Sequence, residues 1–300
     1  MIKQHLKLHF IVFIWGFTAI LGKEISVEAT ELVFYRTAIA AIGLGAIMLA
    51  RGKSLKMPPK AALKVTLTGF IVGFHWITFF AAAKLSVSVC LAGIATTSLF
   101  TAIMEPLSKK QKINPLEITL GLMVIVGLYV IFKFEVDHLT ALTIALVSAG
   151  LSALFSVINS HFTHKYEATH ITFYEMIGGA LCCLLMMPIF NHYFGTGDQV
   201  LFHALSMMDI VYLVILSLVC TVYAFYVSIE IMRYLTAFYV NLTINMEPIY
   251  GIIMAAILYK EHEQMSSGFY TGTLIILMAV ALYPVLKRVF KRKPIATVNR

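Results

Sequence analysis

The sequence predicts an all-α integral membrane protein whose ten transmembrane helices form two inverted five-helix repeats. Three observations carry that expectation. First, 60% of the 300 residues are hydrophobic and only 13% are charged, with a mean hydropathy of +0.86; ordinary soluble domains carry about 25% charged residues. Second, apolar stretches of roughly 20 residues, the length that crosses a hydrocarbon core of about 30 Å, recur along the whole chain. Third, the chain repeats itself. Met104-Glu105-Pro106 returns as Met246-Glu247-Pro248, and Phe34-Tyr35-Arg36 is answered by Phe173-Tyr174-Glu175, 139 positions later. A unit of five spans is odd, so a second copy enters the membrane upside down. The expected halves are 1–138 and 139–300, joined in one membrane unit.

The spans follow in order. The first, about 8–23, comes after Lys3 and Lys7. It superficially resembles a secretory signal, but no clear small-residue cleavage site follows and nine further apolar runs do. The second and third, 30–50 and 62–83, are separated by a basic segment from Arg51 to Lys64. The turn Ala83-Lys84-Leu85-Ser86 leads into the fourth, 87–108, and Met232-Arg233-Tyr234-Leu235 joins the eighth, 209–232, to the ninth, 236–259. The fifth, 115–134, opens at Pro115, nine residues after Pro106, so the fourth span looks truncated relative to the ninth. The sixth, seventh and tenth are 140–162, 169–190 and 267–288. Each Met-Glu-Pro proline removes one helical hydrogen bond and frees the carbonyl four residues before it, Ala102 or Ile244.

An even number of spans puts both termini on one side. Of the 23 lysines and arginines, 18 fall on the terminal side, four (Lys23, Lys84, Lys133, Lys260) on the other, and Arg36 inside a span. The positive-inside rule then places both termini in the cytoplasm of a multi-pass protein of the plasma membrane, the inner membrane in a bacterium. This asymmetry accounts for the net charge of +8 without nucleic-acid binding. Cys90, Cys182, Cys183 and Cys220 all lie in apolar runs and read as small buried hydrophobes rather than disulfides or a metal site.

Trp15-Gly16 in the first span, Phe34-Tyr35-Arg36-Thr37-Ala38 in the second, the two short basic turns, and Glu247-Pro248 in a helix ending at Lys260-Glu261 carry a resemblance. With two sets of five spans in about 300 residues, the whole chain is similar to the EamA-type permeases of the drug/metabolite transporter superfamily. The resemblance implies a ten-helix bundle around a central cavity that moves small metabolites, often outward.

Polar residues inside apolar spans are the candidates for chemistry, because a charge near the bilayer centre costs roughly 2.5–3.5 kcal/mol on insertion scales. Glu247 lies about 11 residues into its span, close to the midplane at about 1.5 Å per residue. Helical spacing sets Tyr239, Thr243, Glu247 and Tyr250 on one face and Asn241 and Asn245 on an adjacent stripe. Glu247 therefore either binds an amino or hydroxyl group or a proton, or remains a buried carboxyl that staples helices. Glu105, four residues before Lys109, reads as a rim salt bridge. Arg36 and Glu175 hold matching repeat positions on opposite sides of the midplane. Arg36 either snorkels toward Glu31 or Glu28 or guards an outer vestibule for carboxylated substrates. Glu175 holds the corresponding inner position. Glu230 is expected to pair with Arg233, three residues on.

Further residues could line the pathway or only pack: Trp15 and Thr18, then His75, Trp76 and Phe79, then Tyr223 and Tyr226. His75 is a second protonatable group deep in a span. Ser148, Ser152 and Ser156, spaced by four, read as close helix packing. His161 and His164 lack an acidic partner at helical spacing, so no metal site or cofactor is expected.

The sequence thus points to a secondary transporter, an exporter of amino acids or related metabolites, working by alternating access with proton coupling at Glu247 or His75 as one option and uncoupled efflux as another. Its site is expected among the first, third, sixth and eighth helices, with the fourth and ninth close by. No Gly-x-x-x-x-Gly-Lys-Ser/Thr loop for ATP appears. An importer, a nucleotide-sugar antiporter and a membrane-embedded transferase are the alternatives; an enzyme would want acid, base and nucleophile at one depth, whereas the ionisable groups here are scattered. The partners implied are a small-molecule substrate and membrane lipids. The residues do not fix an oligomeric state, and a monomer would suffice.

Overall fold

The computed structural model describes residues 2–85, 87–132, 139–194, 202–247, 249–250, 254 and 267–291. Ten helices order these residues: α1 Ile2–Glu24, α2 Ala29–Ala50, α3 Pro59–Leu85, α4 Val87–Ser108, α5 Pro115–Phe132, α6 Leu139–Phe162, α7 Ala168–Phe194, α8 Met207–Ile231, α9 Ala237–Ile244 and α10 Ser267–Lys291. No strand occurs among the described residues. Seven of the helices (α2, α3, α4, α6, α7, α8 and α10) are long and apolar enough to cross a membrane, and α5 contributes a shorter apolar stretch. Lipid-facing side chains show as exposed hydrophobes, among them Ile42, Leu122, Leu185 and Val285. Lys133, Lys260, Glu261 and the far half of the expected ninth span lie outside the described residues.

Two helices are irregular, and both irregularities matter for the site. Residues Leu218–Tyr223 of α8 form a π-helical turn, in which the Thr221 hydroxyl donates to the carbonyl of Leu216, five residues back. The helix α9 ends at Ile244, and Asn245–Met246 form a turn before helical backbone resumes at Glu247. Pro248 itself lies outside the described residues; a proline there has no N–H for the Ile244 carbonyl, four residues before it, and α9 ends at that residue. In α4, by contrast, Pro106 sits two residues from the helix end and is tolerated.

Packing is closest between α3 and α7 and between α5 and α10. A Cβ on Gly178 of α7 would collide with the carbonyl oxygen of Thr66, and one on Gly69 of α3 would collide with that of Glu175. Likewise a Cβ on Gly272 would meet the Gly127 carbonyl, so α5 and α10 touch backbone to backbone. Glycine is what permits this approach. At the start of α8, Ser206 and Asp209 form a capping box. The same Asp209 carboxylate accepts from the Ser26 N–H and hydroxyl, both at 2.9 Å, tying the α1–α2 turn to α8.

The end of the bundle that holds the start of α1 carries a polar and aromatic floor. Glu105 is buried rather than solvated at the rim. Its Oε1 takes Lys109 Nζ at 2.6 Å, as the spacing predicts, while Oε2 accepts the Phe238 N–H of α9 at 2.8 Å. The carboxylate thus caps the N-terminus of a helix from the other half of the chain, where the helix dipole favours negative charge. Beside it, Tyr239 stacks on Tyr283 with centroids 5.3 Å apart. Tyr283 donates to Glu117 at 2.7 Å, and Tyr239 meets His5 at 3.0 Å. Glu230 pairs with Lys7 at 3.7 Å rather than with Arg233, whose guanidinium instead donates to the Tyr166 carbonyl at 2.6 Å.

Candidate functional site

A central cavity of about 110 Å³ lies among α1, α2, α3, α4, α6, α8 and the α9 break. The structure brings nine of the twelve sequence-nominated residues to its wall: Trp15, Thr18, Arg36, His75, Trp76, Phe79, Asn241, Asn245 and Glu247. The other three lie elsewhere. Thr243 is fully buried, and its hydroxyl donates to the Tyr239 carbonyl at 2.9 Å. Tyr223 is 43% exposed on the outer surface against Phe10. Tyr226 borders a separate hollow with Lys53, Glu167 and Arg233.

The placement of Arg36 differs from the snorkelling expectation. It does not reach toward Glu31, which is taken by His203; Arg36 is 4% exposed and lines the cavity. Its Nε donates to Thr221 Oγ1 at 2.7 Å. Its guanidinium carbon lies 4.2 Å from the centroid of the Trp76 ring, a cation–π arrangement. The anchor is the π-turn of α8. Thr221 spends its own proton on the Leu216 carbonyl and so offers Arg36 a lone pair, while the neighbouring Cys220 carbonyl accepts Trp15 Nε1–H at 2.8 Å. One widened turn therefore fixes two cavity side chains.

Glu247 stands against the same cavity. The Thr18 hydroxyl lies 3.3 Å from its Oε1 but only 2.6 Å from the Trp15 carbonyl. A hydroxyl has one proton, and the shorter contact takes it, so Glu247 keeps acceptor capacity for a cationic or donor ligand. The break at Asn245–Met246 is what turns Glu247 toward the cavity, onto the side of Asn241 and Asn245. Asn241 Nδ2 donates to Thr101 at 2.8 Å, and its Oδ1 takes the Ser156 hydroxyl at 3.3 Å. Asn245 Nδ2 reaches the carbonyls of Asn241 and Leu242, groups that the break leaves without helical partners.

His75 Nδ1 lies 2.9 Å from the Ser148 carbonyl. A carbonyl only accepts, so in the neutral ring Nδ1 carries the hydrogen and Nε2 is the acceptor. The Ser148 hydroxyl donates back to the His75 carbonyl at 2.8 Å. The serine row of α6 is thus more than a packing stripe, since Ser152 and Ser156 reach the cavity wall.

Apolar walls complete the site. His75 packs on Phe155 at 5.5 Å, Phe155 on Phe225 at 6.2 Å, and Phe225 on Trp76 at 5.7 Å. Sequence reasoning missed Phe155, Phe225, Ser228 and Thr97. Phe155 and Phe225 look like ordinary membrane-helix residues, and no local signal marks them. Thr97 was detectable only as a polar residue inside a span. Its hydroxyl is buried at the cavity wall with no hydrogen-bond partner among the described residues.

Comparison with known proteins places this geometry. No curated protein matches the chain. Twenty-five solved chains do; one crystal structure superposes with a TM-score of 0.75 at 16% identity, covering 95% of this chain and 99% of that one, a likeness of fold alone. The model of the EamA-like transporter family matches residues 5–133 and again residues 139–283. With most of its length matched by that model and apolar membrane-crossing helices on both sides of the cavity, the chain belongs to the EamA-like transporter family.

Proposed function

We propose that this transporter is a secondary carrier that exports amino acids or related zwitterionic metabolites. The observation that carries the reading is the pairing of Arg36 and Glu247 on one cavity that has aromatic walls. A fixed guanidinium suits a carboxylate, and a carboxylate with spare acceptor capacity suits an ammonium group. Ser152, Ser228 and the unpartnered Thr97 hydroxyl add neutral hydrogen-bonding positions. A nucleotide-sugar substrate fits less well, because Arg36 is the only lysine or arginine among the described residues of that wall to meet a diphosphate.

Transport proceeds by alternating access, with two inverted five-helix halves rocking about the cavity and both termini in the cytoplasm. The double match of the family model and the backbone contact of Gly127 with Gly272 support the two-half reading. The floor of Glu105, Tyr239 and Tyr283 then closes the cytoplasmic side, and Glu247 or His75 is available to a coupling proton.

Metabolite profiling of medium from cells overproducing the protein, against cells making Glu247→Gln, tests the proposal. Amino acids accumulate with the wild type and fall to the background level with the variant. Unchanged medium removes the exporter reading, and equal accumulation with the variant removes Glu247 from the site.

A further inference from the structure

A second buried polar group lies away from the cavity, between α6 and α7. Asn159 Nδ2 donates to Glu175 Oε2 at 3.2 Å, and both residues have no exposed surface. The remaining oxygens of these two planar groups, Asn159 Oδ1 and Glu175 Oε1, have no hydrogen-bond partner among the described residues. The hydroxyl of Thr172, one turn earlier on the same face of α7, has none either. Buried polar atoms are rarely left this way, and here two orphans belong to a pair already joined by one hydrogen bond.

An ionised Glu175 offers only acceptors, so it cannot satisfy Asn159 Oδ1. A carboxyl that holds one proton can: its O–H donates to Asn159 Oδ1 while its other oxygen accepts from Asn159 Nδ2, closing a cyclic acid–amide pair. We infer that Glu175 is a proton-binding site, distinct from the substrate cavity, in which the proton is shared with Asn159. The ionisable groups on the elements packed around it are engaged elsewhere. Arg36 of α2 is bound to Thr221 and Glu31 to His203; His75 of α3 is bound to Ser148. His161 of α6 meets Ser108, and Glu230 of α8 meets Lys7. Lys60 and Lys64 of α3 lie toward its exposed first turns, and on α7 itself His170 and Tyr174 bond the carbonyls of Ser54 and Leu55. None of them supplies a counter-charge to Glu175.

The location gives the proton something to control. Gly69 and Gly178 lock α7 onto α3 at the level of Glu175, whereas α6 meets α7 sparsely. Since α6 is itself held on α3 by the His75–Ser148 contacts, the acid–amide pair is a polar joint between α6 and α7 alone, and α6 carries Ser152, Phe155 and Ser156 of the cavity wall. Deprotonation sets carboxylate and amide oxygens against each other and opens that joint, with the Thr172 hydroxyl placed to donate to the ionised carboxylate.

The site itself is tested on the purified full chain by infrared spectroscopy, independently of transport. In a Glu247→Gln background, a protonated-carboxyl C=O band is present at neutral pH, disappears on adding Glu175→Gln, and shifts in Asn159→Leu. A band unchanged by Glu175→Gln, or no such band, overturns the inference. The coupling role rests on the carrier reading. In proteoliposomes, Glu175→Gln, whose amide can re-form the cyclic pair and should keep the wild-type melting temperature, loses the response of uptake to an imposed proton gradient. A full gradient response in Glu175→Gln overturns the coupling role. Absence of transport by the wild type counts against the carrier reading and leaves the infrared result to decide the proton site.

Discussion

Replacing Glu105 by alanine removes a cap from one helix and a salt bridge from another, and the two losses differ in size. The contact with the Phe238 N–H is a hydrogen bond of 2.8 Å from a buried carboxylate to the first turn of α9. Hydrogen bonds to charged groups contribute about 1.5–3 kcal/mol, and a buried N–H left unpaired costs about 1–3 kcal/mol. These describe the same event from its two ends, so the expected loss is about 1.5–3 kcal/mol rather than their sum. The Lys109 contact is short, but the lysine is 31% exposed, and partly solvated pairs contribute about 0–1 kcal/mol. Lys109→Ala should therefore cost less than about 1 kcal/mol. Glu105→Gln keeps an oxygen for Phe238 and should fall between the two. Melting of the three variants in detergent, followed by tryptophan fluorescence, separates these values: at roughly 2–4 °C per kcal/mol for a chain of this order of size, Glu105→Ala drops by about 3–12 °C and Lys109→Ala by no more than about 4 °C. Equal shifts for Glu105→Ala and Lys109→Ala would refute the reasoning, because they would make the carboxylate the rim ion pair that its spacing first suggests.

Two further outcomes follow from the geometry. Arg36→Lys keeps the charge but loses the Nε donor to Thr221 and the planar face over Trp76; a loss of about 1–2 kcal/mol should raise the half-saturating substrate concentration about tenfold, measured in proteoliposomes, and an unchanged value would mean that Arg36 does not meet the substrate. Gly178→Ala forces a Cβ against the Thr66 carbonyl; overpacking of this kind costs about 1–3 kcal/mol, so the melting temperature should fall, while Gly150→Ala inside α6, with open space around its Cβ position, should not lower it and gains up to about 1 kcal/mol of helix propensity.

The helices were legible because lipid punishes exceptions. An apolar run that ends in lysines marks a span, and the described helices begin and end within a few residues of those runs, apart from α1, which starts earlier and carries Lys3 and Lys7, and α9, which breaks after Ile244 within the expected ninth span. The cavity was legible for a related reason. Trp15, Thr18, Arg36, His75, Asn241, Asn245 and Glu247 are polar or amphipathic groups inside spans, and a polar group excluded from lipid turns to the interior. What could not be read was partnership between helices distant in sequence. The depth of Arg36 along its own helix suggests the outer edge, and only the fold supplies Thr221, 185 residues away, to hold it inside. The cap that Glu105 provides for Phe238 spans 133 residues and is equally silent in the local pattern.

The misplaced residues share one physical cause. Assigning Tyr223 and Tyr226 to the pathway, and Thr243 to the face of Glu247, assumes that 3.6 residues per turn continues without interruption. The π-turn at Leu218–Tyr223 takes up one extra residue, which advances the downstream face by about 100°. Tyr223 then points outward, and Phe225 and Ser228 meet the cavity instead. The turn at Asn245–Met246 shifts the phase again and sets Glu247 beside the asparagines instead of Thr243. Each interruption also leaves backbone carbonyls without helical partners, and in a membrane these have to be satisfied by protein. Trp15 takes Cys220, the Thr221 hydroxyl takes Leu216, and Asn245 takes Asn241 and Leu242. All three of those side chains lie in or next to the cavity wall. The irregular backbone and the polar site are therefore one feature: the residues that repair the broken helices are held in place by the repair, and that fixed arrangement holds Arg36 on the cavity that Glu247 also faces.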